Sequence, residues 1–156
     1  MFDCRVESFD DAVFSAGTIR FQKSELKGGA IRFGKVRFTG THADFSAMRI
    51  DGGRLTLHMV ADGPGPIEGQ ALRFHSLRMR DGVVTFTGEV TSRIELDDSC
   101  FLGGSVSFAG LSDAAGDAAV TVERVRAAVG VLHGLPGAQI PPPHDSDFVA
   151  AGLSAP

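Results

Sequence analysis

Five histidines, His42, His58, His75, His133 and His144, are the first side chains to test for chemistry. Imidazole serves as a general acid–base or a metal ligand near neutral pH. His58 and His75 share one position of a repeat described below, and Asp62 and Glu68 lie near them in sequence. A weak metal site there would combine imidazole with carboxylate. Two surface histidines sharing a turn position is the stronger expectation, so no metal and no cofactor is assigned. Glu95, Asp97 and Asp98 form an acidic group just before Cys100. Paired carboxylates do acid–base work when burial drives their pKa values apart, and a thiol attacks when a histidine stands beside it. Here the acids fall where a turn belongs, and Cys100 reads as a small apolar residue at a strand start. The pairs Gly28-Gly29 and Gly103-Gly104 lack the strand-to-helix glycine pattern of a dinucleotide site and read as turns. No catalytic residue is assigned, and the expectation is a protein that is not an enzyme.

The basic residues are more suggestive. Residues 20–54 carry Arg20, Lys23, Lys27, Arg32, Lys35, Arg37, Arg49 and Arg54 against Glu25, Asp44 and Asp51, while the whole chain has a net charge of −4. Such a stretch suits an anionic partner, although charge at the outer positions of short strands also keeps them soluble. The outer-strand reading is the plainer one. The candidate interaction face is Arg20, Arg32, Arg37, Arg49 and Arg78, with the loop at 60–64 beside it.

What must position these residues is a repeat. From Ala12 to Met59 the chain reads AVFSAGTIRFQK, SELKGGAIRFGK, VRFTGTHADFSA, MRIDGGRLTLHM, with apolar residues at the third, eighth and tenth places of each block of twelve. The frame reaches back to Phe2 and Phe9. It is interrupted by Val60-Ala61-Asp62-Gly63-Pro64, then resumes at Gly65. The copy Glu89–Asp98 is two residues short and Leu111–Arg124 two long, which gives about ten degenerate 12-residue copies. Alternation such as Thr18-Ile19-Arg20-Phe21, with recurring glycine pairs, excludes helix and predicts very short strands.

Two all-β architectures satisfy this pattern: a β-solenoid, right-handed and β-helix-like, or a curved antiparallel β-meander. The phase held over the repeat favours the coil, and strands this short suit an open meander poorly. A coil of one copy per turn would enclose a thin core and stack Arg20 on Arg32, like charge on like. Two copies per turn remove both objections. The expected domains are a β-repeat domain at 1–124, a C-terminal cap at 125–135 and a Pro-rich extended or disordered tail at 136–156. Residues 124–133 read as a short helix or a strand.

A chain of 156 residues can bury a sizeable core. Its aromatics are twelve Phe, with no Tyr or Trp, which favours stacking in a dry interior over polar recognition. Cys4 and Cys100 lie many layers apart and suit a reducing compartment. No signal peptide and no apolar run of ~20 residues appears, so a cytoplasmic protein without a membrane span is expected.

The blocks Phe14–Phe21, Leu26–Phe33 and Phe101–Phe108 resemble the Phe-Ser-Gly-Gly-x-Val-x-Phe repeats of pentapeptide-repeat-like proteins of actinobacteria. Ala12-Val13-Phe14 and Ala43-Asp44-Phe45 resemble the Ala-x-Phe core unit of that family, and the resemblance covers roughly residues 1–124. It implies a right-handed β-helix used as a scaffold, usually without catalysis. Some members present a DNA-like acidic rod to DNA gyrase; the basic early third of this chain points away from that role. The expected function is a rigid scaffold for protein–protein interaction or self-assembly, as a dimer or polymer by end or face stacking. The alternative is a lipid or apolar-ligand carrier with a Phe-lined interior.

Overall fold

The computed structural model describes residues 2–3, 6–39, 41–60, 71–90, 93–113, 120–135 and 140–153. Its strands are β1 (Phe2–Asp3), β2 (Val6–Ser8), β3 (Val13–Phe14), β4 (Gly17–Arg20), β5 (Glu25–Lys27), β6 (Ala30–Phe38), β7 (Thr41–Asp44) and β8 (Arg49–Met59). They continue with β9 (Ala71–Arg73), β10 (Arg78–Val90), β11 (Arg93–Glu95), β12 (Cys100–Phe101), β13 (Ser105–Asp113), β14 (Val120–Thr121), β15 (Arg126–Ala127) and β16 (Leu132–His133). One helix, α1 (Asp145–Ala150), follows.

Every ladder between these strands is parallel, and each strand pairs with its equivalent one turn away. This is a β-solenoid of about four turns, not an antiparallel meander. Phe2 faces Leu26 and Leu26 faces Ile50, so a regular turn takes two copies of the repeat unit. The irregular copies show up as register. Ile50 meets Met79, and the chain between them is a regular turn plus the inserted loop. The turn from Met79 to its partner Phe101 contains the short copy, and the turn from Phe101 to Ala127 contains the long one. The changes in length fall in the connections after β8, β10 and β13, so the ladders on either side stay in phase.

The third, eighth and tenth places of the repeat point inward. Ile50, Leu55, Leu57, Met79, Val84, Phe86, Phe101, Val106 and Phe108 are all buried. Stacked rings run along the coil: Phe21 on Phe45 at 5.1 Å, Phe45 on Phe74 at 4.6 Å, and Phe86 on Phe108 at 4.8 Å between centroids. Parallel strands about 4.8 Å apart bring equivalent rings to that spacing, which offset stacking favours. The first place of the repeat is also inward, as Met48, Leu77 and Val125 show. In that place Ser99 buries its hydroxyl, which donates to the Phe74 carbonyl at 2.7 Å and accepts from the Leu77 N–H at 3.0 Å.

The strands are longer than the sequence suggests; β8 has 11 residues and β10 has 13. Gly52-Gly53 in β8 and Gly82 in β10 bend these strands without ending them, while Gly28-Gly29 and Gly103-Gly104 lie between strands, as turns. Gly29, Gly53, Gly82, Gly104 and Gly130 form a column of positive φ. A Cβ on Gly104 would lie 2.3 Å from the Gly82 carbonyl oxygen, so only glycine lets the turns approach there. The opposite device appears at the last place of the repeat. Asp11, Lys23, Lys35, Ala47, Ser76, Asp98 and Arg124 all have φ between 52° and 58° although none is glycine.

At residues 125–135 the strand alternative holds: β15 and β16 continue the ladders of β12 and β13. Strand pairing wins because Val125, Ala127 and Val131 alternate into the core. Within 136–156, read as extended or disordered, α1 forms a short helix, opened by a capping box in which the His144 N–H donates to Asp147 at 2.8 Å. No helix among the described residues is long and apolar enough to cross a membrane.

Candidate functional site

The coil separates most of the residues singled out above. In the five-stranded sheet, Arg20 lies over Asp44, Asp44 over Arg73 and Arg73 over Glu95, a column of alternating sign. In this column the stacking of Arg20 on Arg32 that a one-copy turn would impose is thereby avoided. Arg32 sits between Ser8 and Thr56 on β6, its guanidinium 3.0 Å from Asp10. Arg37 lies over Val13, with its Nε buried and without a hydrogen-bond partner among the described residues. Only Arg49 and Arg78 are brought together, as direct neighbours on β8 and β10. The loop at 60–64 lies outside the described residues except for Val60.

His58 and His75 do not stack. His58 pairs in register with Thr87 and its Nδ1 is 2.8 Å from the Thr87 hydroxyl. His75 sits at a different corner, with Nε2 3.1 Å from Glu95 and 3.6 Å from Asp97. The common repeat position misleads because two copies make one turn: adjacent copies occupy opposite halves of the coil. Among the described residues no cluster of three metal-ligating side chains occurs; Asp62 and Glu68 lie outside them.

Of the acidic group, Glu95 ends β11, and Asp97 and Asp98 stand at the corner that follows. Glu95 is 3.4 Å from Arg73, and Asp98 accepts two bonds from Arg124 at 2.6 and 2.9 Å. Those bonds hold the Asp98 carboxyl below its usual value. Cys100 is a free, buried thiol. Burial, reinforced by the Asp147 carboxylate, pushes its pKa up, so it is protonated and unreactive at neutral pH. Cys4 lies outside the described residues.

The feature missed by sequence reasoning is a groove of about 360 Å³ between the coil and α1. One wall is a column of outward side chains, Glu25, Arg49, Arg78 and Cys100, each in register with the next; Arg126 continues the column beyond the groove. The other wall is Asp147, Ala150 and Ala151. The tail is pinned by Arg126, which donates to Asp147 at 2.8 Å, and by Arg80, which donates to the Ala151 carbonyl at 3.5 Å. Burial pushes the Asp147 carboxyl up, but the His144 N–H and Arg126 more than offset it, and the group lies below its ordinary value. No sequence signal could place the tail here, because α1 meets residues of strands far away in the chain.

No family model, no curated protein and no solved structure matches the chain.

Proposed function

We propose that the chain is a non-enzymatic, rigid β-repeat scaffold of pentapeptide-repeat-like type, acting through protein–protein contact and foremost through self-association at the coil end formed by β1–β4. That end is the observation that carries the reading. Among the described residues each of β1, β2, β3 and β4 pairs on one side only. Phe9, Phe14 and Ile19 there are only partly buried, whereas Phe33, Phe38 and Ala43, one turn further in, are buried. An open strand edge is a template for pairing with another chain, and the end of a repeat stack is where a cover is needed.

The opposite end differs. Leu135 and Ile140 pack against the core there, and the Pro141 carbonyl accepts from the Ala127 N–H at 3.1 Å. The open end also carries both signs of charge, Asp10 and Asp11 at one corner and Arg20 and Lys23 at another. A two-fold axis running between those corners would set acid against base. A reducing, cytoplasmic setting goes with this reading, given the free Cys100. No specific observation favours the apolar-ligand carrier: the Phe rings that would line its chamber stack on one another.

Sedimentation over a wide concentration range tests the proposal. The average mass is expected to rise above the 16.4 kDa of one chain. Val13→Glu, which charges a residue of this end that is already 53% exposed, is expected to hold the protein as a monomer. A monomer at every concentration would contradict self-association.

A further inference from the structure

We propose that the groove between the coil and α1 binds a small dianionic oxyanion, a phosphate ester or a dicarboxylate, held by Arg49 and Arg78. Parallel pairing sets these two arginines side by side on β8 and β10, about 4.8 Å apart along the coil. Like charges so placed repel unless something neutralises them. The acids lining the same groove are engaged elsewhere. Glu25, in register with Arg49, has its carboxylate 3.1 Å from Lys27. Asp51 holds Arg80 at 2.7 Å, and Asp147 holds Arg126 at 2.8 Å.

What remains is unspent positive charge. The Arg49 side chain is exposed and makes no hydrogen bond or ion pair among the described residues, and that of Arg78 is exposed and donates only to the Asp98 carbonyl, at 2.9 Å. Two adjacent guanidinium forks match the oxygens of one dianion, with charge-assisted bonds to each. The groove is large enough for a small ligand, and Leu102 and Ala150 offer its body an apolar flank.

The tail shows how this face takes an anion. Arg126 belongs to the same column as Arg49 and Arg78, one strand beyond Cys100. It already holds a carboxylate, that of Asp147. The two arginines nearer the groove's other end have the same outward placement and no such carboxylate. The proposal uses no residue of β1–β4, so it stands or falls separately from association at the coil end.

Isothermal titration and thermal melts of the full chain provide the test, with inorganic phosphate and succinate as probes and chloride at matched ionic strength as the reference. Saturable binding of at least one probe is expected. Arg49→Gln and Arg78→Gln are each expected to weaken it roughly tenfold or more, while Arg93→Gln, on the exposed side of β11, leaves it unchanged. The probe that saturates at the lower concentration identifies the phosphate or the carboxylate class. Absence of saturation with both probes overturns the proposal, as does an equal response in the wild type and in the Arg49 and Arg78 variants.

Discussion

Several single side chains here carry more than their own packing. The Ser99 hydroxyl is 1% exposed and satisfies two backbone groups at a corner, the Phe74 carbonyl and the Leu77 N–H. Ser99→Ala leaves both without that partner and is expected to cost about 1–3 kcal/mol in urea unfolding. Ala47, exposed at φ 55°, stands for the opposite case. A left-handed conformation costs an L-residue roughly 1–2 kcal/mol, so Ala47→Gly is expected to gain up to about 1 kcal/mol after the added freedom of the unfolded chain is subtracted. Asp147 is the pH-sensitive member. Its folded pKa lies below the ordinary value of 3.8, so the stability it contributes is complete above that value and drains as pH falls through the folded one. The amide resonances of α1 should therefore keep their docked shifts at neutral pH and move toward unstructured values below about pH 4. Arg126→Gln should move them at pH 7. Shifts unchanged in both experiments would contradict the role given to the Arg126–Asp147 pair.

Elements divide into those whose place could be read from composition and those fixed by distant contact. The third, eighth and tenth places of the repeat were legible because a buried ladder needs the same apolar class at each turn, and Leu57, Phe86 and Phe108 are such residues. Phe86 stacks on Phe108 at 4.8 Å and meets Phe74 edge-on at 5.3 Å. Phe86→Ala is expected to cost about 3–5 kcal/mol, read from the shift in the unfolding midpoint. At the first place of the repeat the inward turn of Ser99 was not legible, since hydroxyl satisfaction cannot be seen in a sequence. The left-handed corners were hidden for a related reason: Lys23, Ala47 and Asp98 have no glycine signature, and the ladders on both sides impose the conformation. Strand lengths were underestimated at Asp51-Gly52-Gly53, where glycine bends a paired strand without releasing it. The groove was illegible because Asp147 reaches Arg126 only after the chain has turned back along the coil.

For the whole molecule, the length of a turn governs the rest. Two repeat copies per turn put Arg20 over Asp44 and Arg49 beside Arg78, and send His58 and His75 to different corners. One copy per turn would instead stack Arg20 on Arg32 and set His58 and His75 in one column. The open coil end, the groove and the charge columns depend on that turn length. Paired cysteines measure it most directly, in a chain with Cys4 and Cys100 replaced by alanine. Thr56 and Thr85 are facing neighbours on β8 and β10, within the reach of a disulfide, so Thr56→Cys with Thr85→Cys should oxidise to an intramolecular bridge. Asp44→Cys with Thr56→Cys, one repeat unit apart and on different sheets, should stay reduced. A bridge in the second pair and none in the first would contradict a turn made of two copies.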